Sequence, residues 1–267
     1  MTTGAPGPTL ELAVPAEQPV RLLHVTDTHL LADRDAELKG IAPWPGLLRC
    51  ARHAADQGVR GAAPDLIVAT GDLAHEGERE AYALLAGALA GQGAPLAGVP
   101  GNHDAPEVLA ALLIEPPCTP ARRIRAGAWE ILLLDSHLPG EEAGALGPAG
   151  LAALASALAE PGPRHRLIAL HHPPFAVGSP WIDRISLLDA DDFWSTLDGS
   201  VRAVLAGHVH QDFDRRARGC RQITSPSTWA QFAPRQDVFV LDDRPPGYRW
   251  LELQPDGTIE TAACYVP

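Results

Sequence analysis

The stretch Leu96–Asp104, LAGVPGNHD, decides how the fold is read. Leu96–Val99 is a short apolar run of buried-strand length that stops at a proline. Gly101 then permits a sharp turn. Asn102 offers an amide oxygen, His103 an imidazole and Asp104 a carboxylate. Three different polar groups at a strand end suggest a site rather than a core. Taken alone, Gly-Asn is also ordinary turn chemistry, so the rest of the chain decides.

The same arrangement recurs four times. Arg21–Thr26 runs into Asp27-Thr28-His29, and Asp65–Ala69 into Thr70-Gly71-Asp72. Arg166–Leu170 runs into His171-His172-Pro173-Pro174, and Val201–Ala206 into Gly207-His208-Val209-His210. Each has a bland reading by itself: a cap or turn for Asp27-x-His29 and Gly71-Asp72, a loop histidine for His171. His208-x-His210 is more pointed, because two imidazoles at that spacing can face one centre. Between these strands the pattern predicts helices over Gly46–Gly58, Glu76–Ala90, Pro106–Leu113, Pro148–Glu160 and Asp189–Leu197, with Asp104 as the cap of the third. Arg122–Arg125 and Trp129–Leu134 read as two strands joined by a turn. Beyond Gly207 come short strands at Asp214–Arg218, Cys220–Thr224, Val238–Leu241, Tyr248–Leu253 and Thr258–Ala262.

Strands alternating with helices, then a β-rich tail, predict an α/β fold with a second sheet packed on the first. Residues 1–19 read as a mobile arm with a short edge strand at Thr9–Val14, and residues 20–267 as one domain. In α/β sheets, ligands bind beyond the carboxyl ends of the strands. Asp27, His29, Asp72, Asn102, His171, His208 and His210 can therefore converge although they are far apart in sequence. The set mixes N and O donors without thiolate, which suits Fe, Mn, Zn or Co. Seven ligands exceed the need of one metal and fit two sharing a carboxylate. His24, His53, His75, His137 and His165 fall outside the pattern and read as surface or packing residues.

Composition narrows the partners. The chain of 267 residues carries a formal net charge of −12, with one lysine (Lys39) against 20 arginines. No basic stripe is available to track a nucleic-acid backbone. The four cysteines form no CxxC pair, which fits a reducing cytosol. No secretory leader and no run long enough to span a membrane is visible, so a cytoplasmic protein is expected.

The order Asp-x-His, Gly-Asp, Gly-Asn-His-Asp, His-His-Pro, Gly-His-x-His resembles the signature of the calcineurin-like metallophosphoesterases. Further segments are similar to the bacterial class III 3′,5′-cyclic AMP phosphodiesterases: HVTDTHL (24–30), DLIVATGDL (65–73), LLLDS (132–136), PSTWAQF (226–232) and GYRWLELQPDG (247–257). The resemblance implies a four-layer α/β/β/α sandwich of two mixed sheets flanked by helices. It implies Asp27, His29 and His210 on one divalent metal, Asn102, His171 and His208 on the other, and Asp72 on both, with Fe and Mn favoured. His172 would be a neighbour. It implies hydrolysis of 3′,5′-cyclic AMP to 5′-AMP through a hydroxide between the metals, with His103 as the acid for the leaving 3′ oxygen. Asn102, His103 and His208 are also expected to face substrate.

Trp181, Trp229 and Phe232 are candidate base-stacking residues, and a homodimer through the loop Pro173–Ile185 is a further expectation. Two prolines within Pro43–Leu48 and the glycine-rich loop Gly140–Gly147 depart from the pattern and bear on substrate fit. Two alternatives remain: a phosphodiesterase for glycerophosphodiesters or 2′,3′-cyclic nucleotides, and a metal-free binding scaffold.

Overall fold

The computed structural model describes residues 8–267. In chain order the elements are β1 (Thr9–Leu12), β2 (Val20–Val25), α1 (Pro43–Gln57), β3 (Leu66–Thr70), α2 (Arg79–Leu89), β4 (Leu96–Val99) and α3 (Pro106–Leu113). Next come β5 (Arg123–Ala126), β6 (Trp129–Leu133), α4 (Gly147–Ala159), β7 (His165–Leu170), α5 (Pro180–Asp183), α6 (Ala190–Thr196) and β8 (Val201–Ala206). The tail holds β9 (Phe213–Ala217), β10 (Cys220–Thr224), β11 (Gln231–Phe232), β12 (Leu241–Asp242), β13 (Gly247–Leu253) and β14 (Ile259–Tyr265).

Two mixed sheets face each other. One has the order β14-β13-β2-β3-β4, the other β1-β5-β6-β7-β8-β10-β9. The central strands are parallel and read as continuous apolar runs, such as LIVAT in β3, because both of their faces are covered. Leu22, Leu66, Val68 and Val99 from one sheet meet Ile131, Leu133, Leu167 and Leu205 from the other in the central layer. Each such side chain contributes about 1.5–3 kcal/mol by leaving water. Helices α1, α2 and α3 cover the outer face of the five-stranded sheet, with Leu47, Leu85 and Leu109 pointing in. Leu154 of α4, Ile182 of α5 and Phe193 of α6 cover the seven-stranded one. This is the four-layer sandwich.

Three local expectations change. Thr9–Leu12 of the expected arm pairs in parallel with β5, so that part is tied to the sheet edge; residues 1–7 lie outside the described residues. The prolines near α1 do not delay it. Pro43 and Pro45 occupy its first turn, where backbone N–H groups have no intrahelical acceptor. Val238–Leu241 does not form a strand: Val238 is 65% exposed, and only Leu241 and Asp242 pair, with Gln231 and Phe232. A short apolar run does not make a strand without a partner edge.

Candidate metal centre

The carboxyl ends of β2, β3 and β4 in one sheet meet those of β7 and β8 in the other. All seven expected ligands lie there. The sheets approach closely at Gly207: a Cβ on it would lie 2.7 Å from the Thr70 carbonyl oxygen and 2.9 Å from Asp27 Oδ2. A Cβ on Gly101 would lie 2.8 Å from His171 Cε1. The backbone is strained at the same place. Nine non-glycine residues among those described have positive φ, and five of them are Asp27, His29, Asp72, His208 and His210. Such conformations persist only where the surroundings enforce them, and they gather at functional sites.

The donor atoms fall into two groups. In the first, His29 Nε2 lies 3.2 Å from His210 Nε2, which lies 3.3 Å from Asp27 Oδ1. In the second, His171 Nε2 lies 3.2 Å from Asn102 Oδ1 and 3.3 Å from His208 Nδ1. Asp72 Oδ2 stands between them, 3.7 Å from His29 Nε2 and 3.4 Å from His171 Nε2. Its other oxygen accepts the His103 backbone N–H at 2.9 Å.

The outer ring nitrogens settle which atoms are free to bind. His171 Nδ1 is 2.7 Å from the Thr70 carbonyl and His210 Nδ1 is 2.7 Å from the Ala230 carbonyl. A carbonyl can only accept, so both Nδ1 atoms carry the hydrogen and the neutral rings turn Nε2 lone pairs inward. Asp27 accepts from Thr26 Oγ1 and from the His208 backbone N–H, which fixes its carboxylate. With every ring neutral, lone pairs would face lone pairs at 3.2–3.7 Å. That arrangement fits divalent cations, one per group with Asp72 shared, and N/O donors suit Fe, Mn, Zn or Co.

Proton affinities show the same need for positive charge. Burial alone would raise the Asp72 carboxyl, but His171, His29 and His103 hold it well below the usual range. Burial lowers His171, yet Asp72, Asp27 and the Thr70 carbonyl outweigh it and hold the ring up at about 9. These are two halves of one interaction, in which a proton on His171 stands in for a cation. Burial, with His171 beside it, pushes His208 down to about 3.

His103 is exposed, with its ring 4.9 Å from that of His29 and Nδ1 3.2 Å from the His75 carbonyl. His172 has both nitrogens engaged by protein, Nδ1 with Ser136 Oγ at 2.8 Å and Nε2 with the Glu142 carbonyl at 3.2 Å. Asp104 is not a helix cap; Ala105 occupies that position without a side-chain hydrogen bond. Its carboxylate instead accepts from the N–H groups of Leu73, Ala74 and Gly101 and from Tyr82 Oη, tying the β3 and β4 loops together. Trp229 and Phe232 are buried and do not offer open stacking faces. Phe232 stacks on the His210 ring at 3.8 Å, and Trp229 packs edge-on against His29 at 5.0 Å. Trp181 packs edge-on against Phe232 and Phe239.

Three residues outside the sequence pattern belong to this region. His75 sits with Nδ1 3.1 Å from His29 Nδ1. His137 Nδ1 is 2.8 Å from the Gly101 carbonyl, and His24 is buried with Nε2 2.7 Å from Thr70 Oγ1. The weak local signal for His75 was its position three residues after Asp72 on the same loop.

Two facing mixed sheets with an N/O donor set at their shared carboxyl edge define the metallophosphoesterase type of sandwich. The calcineurin-like phosphoesterase family model matches residues 20–212, and the chain belongs to that family. It is 38% identical over 257 residues to the 3′,5′-cyclic adenosine monophosphate phosphodiesterase CpdA of Escherichia coli K12, covering 94% of this chain and 92% of that protein. It is 33% identical to a 3′,5′-cyclic-nucleotide phosphodiesterase of Nostoc, covering 93% of each. A dimetal phosphatase structure from Danio rerio shares the fold with a TM-score of 0.61 at 16% identity, covering 94% of this chain and 100% of that one.

Proposed function

We propose that this protein is a dinuclear-metal phosphodiesterase that hydrolyses 3′,5′-cyclic AMP to 5′-AMP. The observation that carries the metal chemistry is the pair of inward-facing donor groups joined at Asp72 Oδ2. Similarity of 33–38% over nearly the whole chain to proteins named as cyclic-nucleotide phosphodiesterases supports the substrate. In this reading Asp27, His29 and His210 hold one cation, Asn102, His171 and His208 the other, and Asp72 both, with Fe or Mn as the favoured ions. When bound, the cations supply Lewis acidity to the phosphate oxygens and lower the pKa of water at the site.

The chain's own residues do the rest. The carbonyls of Thr70 and Ala230 keep His171 and His210 in the tautomer that presents Nε2. Asn102 and His208 border the phosphate. His103, held at Nδ1 by the His75 carbonyl, turns Nε2 outward as the acid that protonates the leaving 3′ oxygen. Four free thiols and the homologues' bacterial origin support a cytoplasmic setting. A homodimer through the 173–185 loop belongs to the same reading, with light scattering as its check.

The deciding experiment compares kcat/KM for 3′,5′-cyclic AMP, 2′,3′-cyclic AMP and a glycerophosphodiester on the metal-loaded protein. Cyclic AMP is expected to be the best of the three. Finding it the poorest overturns the substrate and leaves the metal centre standing.

A further inference from the structure

Of the four imidazoles in the donor groups, two have an outer nitrogen fixed by backbone carbonyls. His208 Nε2 is buried without a partner. His29 alone is held from outside by another side chain. Its Nδ1 lies 3.1 Å from Nδ1 of His75. With Nε2 of His29 facing Asp72 and His210, its Nδ1 carries the hydrogen, and His75 Nδ1 must be the acceptor. The His75 ring therefore has its hydrogen on Nε2.

The same residue reaches the candidate acid twice. The His75 ring lies nearly parallel to that of His103, with centroids 4.5 Å apart and planes at 19°. The His75 carbonyl accepts from His103 Nδ1 at 3.2 Å. Three rings, of His29, His75 and His103, thus form one packed unit at the mouth of the centre. His75 is half-buried and lies between β3 and α2, on a loop that Asp104 fastens to the backbone at Leu73 and Ala74.

We infer that His75 is a positioning residue with two separable duties: its Nδ1 orients His29 toward a cation, and its ring fixes the plane of His103. The inference rests on the metal centre read above, but not on the identity of the substrate. It separates from plain packing because the two duties need different atoms. An asparagine can present an oxygen close to where Nδ1 stands, but it has no ring on which His103 can lie. The carbonyl of residue 75 survives in every variant.

The test uses Mn²⁺ binding, measured by chelator competition, beside turnover of two substrates. His75→Ala is expected to weaken one of two Mn²⁺ equivalents by about 10–100-fold, the usual cost of losing a partner behind a ligand, and to spare the other. His75→Asn is expected to restore that equivalent. Both variants should lose more turnover on cyclic AMP than on bis(4-nitrophenyl) phosphate, whose nitrophenolate leaves without a proton. Unchanged Mn²⁺ affinity in His75→Ala overturns the orienting duty, as does weakened affinity that His75→Asn fails to restore. Equal losses on the two substrates overturn the duty toward His103. Should His75→Ala not fold, His75→Phe takes its place for the orienting duty, because it keeps a ring but no acceptor for His29 Nδ1 and should weaken the same Mn²⁺ equivalent, unchanged affinity overturning that duty; His75→Asn still reads the duty toward His103. If the parent protein does not hydrolyse cyclic AMP, the proposed substrate falls while the Mn²⁺ measurements still judge His75.

Discussion

Two clusters of buried polar groups sit at opposite ends of β7. At its start, Arg166 joins Arg123 and Arg125 around Glu130, whose side chain is fully buried. At its end, His171 opens the candidate metal centre. The first cluster is closed. Glu130 Oε1 accepts from Arg123 and Arg125, and Oε2 from Arg166 at 3.0 Å. Arg123 and Arg166 turn further donors to Glu160 and Ser200, and Arg125 lies 3.6 Å from Glu11. The second cluster is open: its carboxylates and ring nitrogens point lone pairs at one another, and five of its residues hold strained backbone angles. Burial alone therefore does not mark a functional site. A buried group that is compensated by the protein is structural, and one that awaits a charge from outside is functional.

That contrast makes its strongest claim at Asp72. Replacing it by asparagine keeps the shape and an oxygen for the His103 N–H, but removes the charge shared by both donor groups. Asp72→Asn should weaken both Mn²⁺ equivalents together. Because bound metal supplies several kcal/mol to the transition state, turnover should fall by about 10³-fold or more. Loss of a single equivalent would show that Asp72 serves only one cation. His103→Ala, next to it, should keep both equivalents and still lose about 10²–10⁴-fold in turnover on cyclic AMP, the usual contribution of a positioned acid. An emptied metal site in that variant would place His103 among the ligands instead.

At the closed end the signs reverse. Glu130→Gln should leave turnover per folded molecule unchanged and cost about 3–5 kcal/mol in urea unfolding, because three guanidinium groups lose their shared anion. Burial pushes the Glu130 carboxyl up, but the hydrogen bonds from Arg123, Arg166 and Arg125 hold it below the usual carboxylate value of 4.5. A lowered pKa means the stabilisation is present above 4.5 and is lost as pH falls through the folded value. Parent and variant should therefore converge in stability as the chelated proteins are acidified below that point. A gap that does not narrow would mean that Glu130 works by packing rather than by charge.

The two ends differed in how openly the sequence displayed them. Each proposed donor follows a buried apolar run, and the doubly-covered strand with a polar group past its end is a local pattern, visible within eight or nine residues. The meeting of β2, β3 and β4 with β7 and β8 then follows from α/β geometry. Glu130 is the one polar residue of the strand WEILL, and nothing beside it shows its role, since its arginines arrive from residues 123, 125 and 166. Asp104 departs from its expected role for the same physical reason. Asp104 precedes Pro106 and so resembles a cap, but its nearest donors come from Leu73 and Ala74, across the loop of a different strand. Val238–Leu241 has the composition of a strand, yet of it only Leu241 joins a ladder, with Phe232. What the sequence withheld in each case was the identity of a partner distant in the chain.

Asp104 provides the finest division between the two kinds of cluster, because it lies beside the open centre yet resembles the closed one. Its carboxylate has four donors, although burial and the neighbouring charge of Asp72 push it up to about 6. Tyr82→Phe removes one of those donors and also strips the Ala105 N–H of its acceptor, the Tyr82 oxygen at 2.8 Å. Three backbone N–H groups still hold Asp104, so the loops should stay joined. The expected loss is about 1–2 kcal/mol, the scale of an unpaired buried group, with both Mn²⁺ equivalents intact and turnover changed only a few-fold. A lost equivalent would show that the centre depends on Asp104 for more than loop anchoring. Its carboxylate would then have to be counted with those of Asp27 and Asp72 rather than with that of Glu130.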